Sequence, residues 1–156
     1  MGTKCLPCSQ GYINPLILSL LQQESSCRIL DLGCGNVALC RYLAFNGFDV
    51  VGVEPDAQGV SIAREQAPGA SFYQLGVDDE PSIVTQAEGL FDAVVSTEVI
   101  EHLYSPHLLP RFALSCLNLV AFWSSQRRTT AISKIFFFLY WESGIIILQL
   151  SGMAAT

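Results

Sequence analysis

Ile29-Leu30-Asp31-Leu32-Gly33-Cys34-Gly35-Asn36 is the stretch that decides the reading of this chain. An apolar run ends in two glycines one residue apart, and a helix-forming stretch follows. That is the pattern of a buried strand turning sharply into a helix, a place where nucleotide cofactors bind. The next apolar run, Val50-Val51-Gly52-Val53, closes on Glu54. An acid about 20 residues beyond the glycines has the spacing of a ribose contact.

Outward from this turn, strand and helix patterns alternate. Residues 12–23 carry Ile13, Leu16, Ile17, Leu20 and Leu21 at helical spacing and predict a lead-in helix. Residues 28–32 predict a strand, 37–46 a helix stopped by Gly47, and 49–53 a strand buried on both faces. Asp56 caps a helix that runs to Gln66, ahead of Pro68-Gly69. Residues 71–75 predict a third strand, 80–87 a short helix and 91–96 a fourth strand. Ser105-Pro106 opens a helix through about Leu117. The alternation predicts an α/β fold: a Rossmann-like parallel sheet with helices on both faces.

The chain has 156 residues, about one domain, and a net charge of −6. After Glu101 the only acid is Glu142, while Arg111, Arg127, Arg128 and Lys134 lie there. An acidic domain has no electrostatic drive toward nucleic acid or anionic membrane, so neither partner is expected. Cys27, Cys34, Cys40 and Cys116 fall inside predicted elements, where a thiol acts as a small apolar group. Cys5 and Cys8 form a lone C-x-x-C, which does not make a zinc site. This usage predicts a reducing, cytoplasmic compartment. The start lacks a charged segment followed by an apolar one, so no signal peptide is expected. Residues 135–150 are very apolar, but Glu142-Ser143-Gly144 interrupts a run already too short for a membrane span. Nothing in the pattern sets an oligomeric state.

Parallel sheets bind ligands outside the carboxyl ends of their strands. Gly33 to Asn36 follow the first predicted strand, Glu54 the second, and Asp78 and Asp79 the third. Thr97, Glu98, Glu101 and His102 follow the fourth. Each has a structural explanation as well. The glycines can simply supply positive φ. Glu54 before Pro55 can be a solvated loop acid, and Asp78-Asp79-Glu80 can complement a helix dipole. Glu98 and Glu101 can share a solvated helical face. Their coincidence at four strand ends favours a site.

Two cofactor classes fit the turn. Gly33-x-Gly35-x-x-Ala38 satisfies the loose dinucleotide pattern G-x-G-x-x-G/A, which would make this an NAD(P)-binding Rossmann domain. Asp31, two residues before the first glycine, suits a cation instead. The sulfonium and amino group of S-adenosylmethionine are cationic, whereas a pyrophosphate would be repelled.

ILDLGCGN at 29–36 resembles motif I of the class I S-adenosylmethionine-dependent methyltransferases, and VVGVEPD at 50–56 resembles their second motif. FDAVVSTEVIEHL at 91–103 resembles the fourth-strand motif of the subgroup that includes the ubiquinone-biosynthesis O-methyltransferases. The resemblance covers about residues 25–117. It implies strand order 3-2-1-4 and methyl transfer from S-adenosylmethionine to a small-molecule acceptor, most readily at oxygen. It implies that Asp31, Gly33, Cys34 and Gly35 border the methionine part, that Glu54 holds the ribose hydroxyls, and that Val77 and Asp78 lie near the adenine. Thr97, counted with the cofactor contacts, and Glu98 would line the acceptor side. His102 and Glu98 are the candidate catalytic residues, His102 as the base. Glu98, Glu101 and His102, spaced E-x-x-E-H, resemble a divalent-metal triad for an ion such as Mg, which would orient a catechol-like or ribose diol. A helix-start cluster is the structural alternative. The family usually has glycine where this chain has Val37, and a Cβ there is expected to crowd the methionine moiety.

The organisation read from this is a lead-in segment at 1–24, the cofactor domain at 25–117 and a non-family tail at 118–156. In the family, the helix after strand four ends in Leu-Lys-Pro-Gly-Gly, and a fifth strand ends in Ser-Thr-Pro. Here the chain reads Asn118-Leu119-Val120-Ala121-Phe122-Trp123-Ser124-Ser125-Gln126-Arg127-Arg128. Shifting the codons by one base makes the first base of each residue the middle base of its predecessor. Leu119 to Ala121 then allow Pro-Gly-Gly, Phe122 and Trp123 force apolar residues and Ser124 and Ser125 permit them, and Gln126 to Arg128 permit Ser-Thr-Pro. A one-base deletion near the Asn118 codon explains the departure. The sheet is then left at about four family strands. Strand four loses its neighbour and exposes an edge, which the tail is placed to cover, as a helix over about 131–150. The corresponding alternative function is an inactive fragment that keeps part of the cofactor pocket.

Overall fold

The computed structural model describes residues 10–23, 26–118, 134–140 and 145–151. Cys5, Cys8 and most of the 118–156 tail lie outside them.

Three apolar runs dictate the centre of the fold. β1 (Arg28–Leu32), β2 (Asp49–Glu54) and β4 (Ala93–Thr97) have no polar face, so both of their faces must be covered. They are. Ile29, Val50, Ala93 and Val95 pack under α1 (Gln10–Gln23), α2 (Ala38–Phe45) and α3 (Ala57–Gln66). Leu30, Leu32, Val51, Val53 and Val94 face α4 (Ser82–Glu88) and α5 (Leu108–Cys116). With β3 (Ser71–Gln74), the parallel strands run in the order β3-β2-β1-β4, as the resemblance implies. The period-2 alternation puts Asp31 on the same face as Ile29, toward α2.

The third helix starts where expected: Asp56 Oδ2 accepts from the Gly59 amide at 2.7 Å. The last one starts later. Ser105 and Pro106 form tight turns, their carbonyls accepting from Leu108 N at 3.0 Å and Leu109 N at 3.3 Å, and helical structure begins at Leu108.

The tail departs most. In place of the helix expected over 131–150, β5 (Lys134–Tyr140) and β6 (Ile145–Ser151) pair antiparallel. Runs of Phe and Ile favour strands over helices. β6 then pairs antiparallel with β4, from Ala93↔Gln149 to Thr97↔Ile145, so the tail covers the β4 edge as a strand and not as a helix. The six-stranded order is β3-β2-β1-β4-β6-β5.

Arg28 clasps the end of the sheet opposite the glycine turn. Its Nε donates to Asp49 Oδ2 at 2.7 Å, its Nη1 to the Glu88 carbonyl, and its guanidinium lies 5.2 Å from the Phe91 ring centroid. Glu88 in turn accepts from the Tyr73 hydroxyl at 2.7 Å. One side chain thus joins β1, β2, the end of α4 and the approach to β4. Arg28→Ala is expected to lower unfolding free energy by about 1–2 kcal/mol, because its carbonyl and carboxylate partners lose a donor while staying partly solvated. Urea denaturation checks this. The midpoint falls with the slope unchanged, and an unaltered midpoint contradicts the clasp.

Candidate functional site

The turn after β1 is built by backbone conformations that most residues avoid. Gly33 has φ 86° and Gly35 φ 45°. Gly33 is required twice over, since a Cβ there would stand 2.3 Å from Val99 Cγ2. That close approach joins the turn to the segment after β4. The Ser96 hydroxyl, buried, adds a second link by donating to the Leu32 carbonyl at 2.8 Å.

β2 holds the turn from the other side. The Val53 carbonyl accepts from Gly33 N at 2.8 Å and from Cys34 N at 3.0 Å. Glu54 Oε2 accepts from Gly35 N at 2.9 Å, and its Oε1 accepts from Asp56 N at 3.2 Å. The helix start beyond is also filled: Val37 N donates to Cys34 O at 2.8 Å, and Ala38 N to Asn36 Oδ1 at 3.2 Å. The amides of Gly33, Cys34, Gly35, Val37 and Ala38 are therefore engaged, that of Gly35 by a carboxylate.

Asp31 lies beneath the turn, 1% exposed. Cys40 Sγ donates to its Oδ2 at 3.1 Å, while Oδ1 has no partner. Burial raises the Asp31 pKa to about 6. The Cys40 hydrogen bond opposes the rise, and the nearby Glu54 charge adds to it. Cys40 had read as a small apolar residue. Its position one turn into α2, on the face toward β1, is the signal that places it on Asp31.

Among the described residues two non-glycine residues are left-handed, and both sit at this rim: Val37 at φ 59° and Glu98 at φ 56°. Such strain in a β-branched residue persists only where the surroundings hold it. Val37 is fully buried in the layer with Leu39, Cys40 and Leu43. The Cβ expected to crowd a ligand above the turn is thus packed into the core, and its cost is one of backbone conformation.

Glu54 also fixes the end of β3, its carbonyl accepting from Leu75 N at 3.2 Å. Beyond it, Asp79 Oδ2 accepts from Gly76 N at 2.7 Å. Val77 and Asp78 line a cleft of about 190 Å³ against Leu108, Arg111 and Phe112 of α5. Thr97 ends β4, and Glu101 and His102 are exposed.

The metal triad does not form. Among the described residues no three His, Cys, Asp or Glu side chains could hold a metal ion. The expectation rested on helical spacing from Glu98. The left-handed backbone at Glu98 breaks that spacing, and only Ile100–His102 form a single 3₁₀ turn.

This geometry has counterparts. The sequence is 34% identical over 96 residues to a ubiquinone biosynthesis O-methyltransferase of Maricaulis maris, covering 60% of this chain and 36% of that one. It is 30% identical over 118 residues to the enzyme of the same name from Glaesserella parasuis, covering 69% and 48%. The chain spans less than half the length of these curated relatives. An amino pentose methyltransferase from Micromonospora echinaspora, solved with S-adenosylmethionine bound, shares the fold with a TM-score of 0.61 at 19% identity, over 71% of this chain and 48% of that one. The sequence profile of the family described as "Methyltransferase domain" matches residues 9–131, beyond the 25–117 span at both ends. A match over that much of the length, on the strands that carry the glycine turn, places the chain in the methyltransferase-domain family.

Proposed function

We propose that this chain binds S-adenosylmethionine at the Gly33–Asn36 turn and serves methyl transfer to the oxygen of a small-molecule acceptor. The observation that carries the reading is the Glu54 carboxylate on the Gly35 amide, with Asp31 buried beneath. Two carboxylates repel a pyrophosphate and attract a sulfonium and an ammonium. The unpartnered Asp31 Oδ1 leaves an acceptor that a cationic ligand can compensate.

Bound S-adenosylmethionine supplies an electrophilic methyl group. Asp31, Gly33, Cys34 and Gly35 would border its methionine part, Glu54 its ribose, Val77 and Asp78 its adenine, and Thr97 the reacting end. His102, exposed beyond β4, would take the acceptor's hydroxyl proton, with Glu98 beside the acceptor. Transfer at oxygen is favoured by the O-methyltransferase names of the curated relatives. Residues 25–117 would form the cofactor domain of a cytoplasmic protein, and 118–156 a tail translated out of frame. Among the described residues no helix is long and apolar enough to cross a membrane. A second reading, cofactor binding without turnover, is favoured by β6: strand four is flanked by an antiparallel strand from that tail.

Calorimetric titration with S-adenosylhomocysteine and with NADH tests the reading. Saturable binding of the first alone is expected, and binding of NADH alone overturns it. Asp31 adds a pH dependence with a definite sign. Its folded pKa of about 6 lies above its ordinary 3.8, so without ligand its contribution to stability falls as pH rises from about 4 to 6. A cationic ligand favours the ionised form, so S-adenosylmethionine should bind about tenfold more weakly at pH 5 than at pH 7.5. Asp31→Asn should abolish that difference, and a wild-type affinity flat across this range contradicts the role given to Asp31.

A further inference from the structure

Asp31 and Gly52 stand opposite one another in the β1–β2 ladder, and a sulfur lies on each. Cys40 Sγ is 3.1 Å from Asp31 Oδ2. Cys34 Sγ covers Gly52, 2.8 Å from where a Cβ would stand, so only glycine leaves room for it. Because Asp31 and Gly52 are register partners, the two thiols are neighbours, and both side chains belong to the layer packed between the sheet and α2. Both are reduced here. Cys34, in the turn, is 7% exposed, and Cys40 is sealed at 0%.

We propose that Cys34 and Cys40 form a reversible oxidation site, in which a hydroperoxide converts the pair to a disulfide that weakens cofactor binding at the adjoining turn. The weakening rests on the cofactor reading above; the disulfide does not. The oxidant meets Cys34 first, because of the two residues only Cys34 keeps any exposure. The Cys34 thiolate attacks a peroxide oxygen, the O–O bond breaks, water leaves, and Cys34 becomes a sulfenic acid. Cys40 sulfur then attacks Cys34 sulfur. An S–S bond forms as the S–O bond breaks, and the Cys40 proton passes by way of Asp31 Oδ2 to the departing hydroxide. Two thiols and one hydrogen peroxide give one disulfide and two waters.

The consequence falls on Asp31. Once Cys40 is in the disulfide it has no proton to donate. Both carboxylate oxygens are then buried without a donor, directly under the glycine turn.

The sequence makes the test direct. Trypsin cuts after Arg28 and Arg41, so residues 29–41 leave as one peptide holding Cys34 and Cys40 and no other cysteine. The full chain is treated with graded hydrogen peroxide, alkylated, digested and weighed, and the same samples are titrated with S-adenosylhomocysteine. The expected peptide is two hydrogen atoms lighter, escapes alkylation and is restored by dithiothreitol. Affinity should fall about tenfold on oxidation and recover on reduction. In Cys40→Ala the peptide should gain oxygen instead. A peptide still doubly alkylated when exposed Cys27 is already oxidised overturns the proposal, as does Cys34 joined to another cysteine. A cross-link with unchanged affinity overturns the control of binding. A cross-link with no binding in either form overturns the cofactor reading and upholds the thiol site.

Discussion

The carbonyl of Val53 and the carboxylate of Glu54, adjacent at the end of β2, take the amide protons of Gly33, Cys34 and Gly35. The remaining features of the site follow from that tie. It sets the turn at a fixed height over β1. It holds the Cys34 sulfur over Gly52 and brings Gly33 against Val99 of the β4 segment. It also gives the rim its charge, because the Gly35 amide of the turn is taken by the protein's own carboxylate. What such a rim can accept is a cation with hydroxyls beside it.

The arrangement carries a cost in stability. A buried carboxylate with one unpartnered oxygen, and left-handed backbone at Val37 and Glu98, all lie within this rim. Unfavourable groups gathered in one place, on a sheet whose central strands β1, β2 and β4 are otherwise sealed by two apolar layers, mark the part of the fold shaped for something other than folding. The Arg28 clasp, at the other end of the strands, shows the contrast: every charge there meets a partner within the protein.

Legibility in the sequence followed burial. β1, β2 and β4 could be read because they are apolar without interruption, and Asp56 because a cap precedes its helix directly. Asp31 stood out as an acid in an apolar strand. Its partner Cys40 did not, because a thiol that hydrogen-bonds and one that only fills space look the same in a sequence. The Arg28 clasp joins residues some 20 to 60 positions apart, beyond any local pattern. The metal triad failed because spacing was read as α-helical where one left-handed residue changes the direction of the chain. The tail covers the β4 edge as a strand and not as the expected helix, because its Phe and Ile runs and an unpaired β4 edge favour strand pairing.

The backbone amide of Gly35 reports on the central tie directly. In the nitrogen-15-labelled full chain, its resonance is followed during titration with S-adenosylhomocysteine and, separately, with inorganic pyrophosphate. If Glu54 turns from this amide to the ribose hydroxyls, the resonance shifts saturably with S-adenosylhomocysteine and stays in place with pyrophosphate. A Gly35 amide that moves with pyrophosphate and ignores S-adenosylhomocysteine would contradict the account.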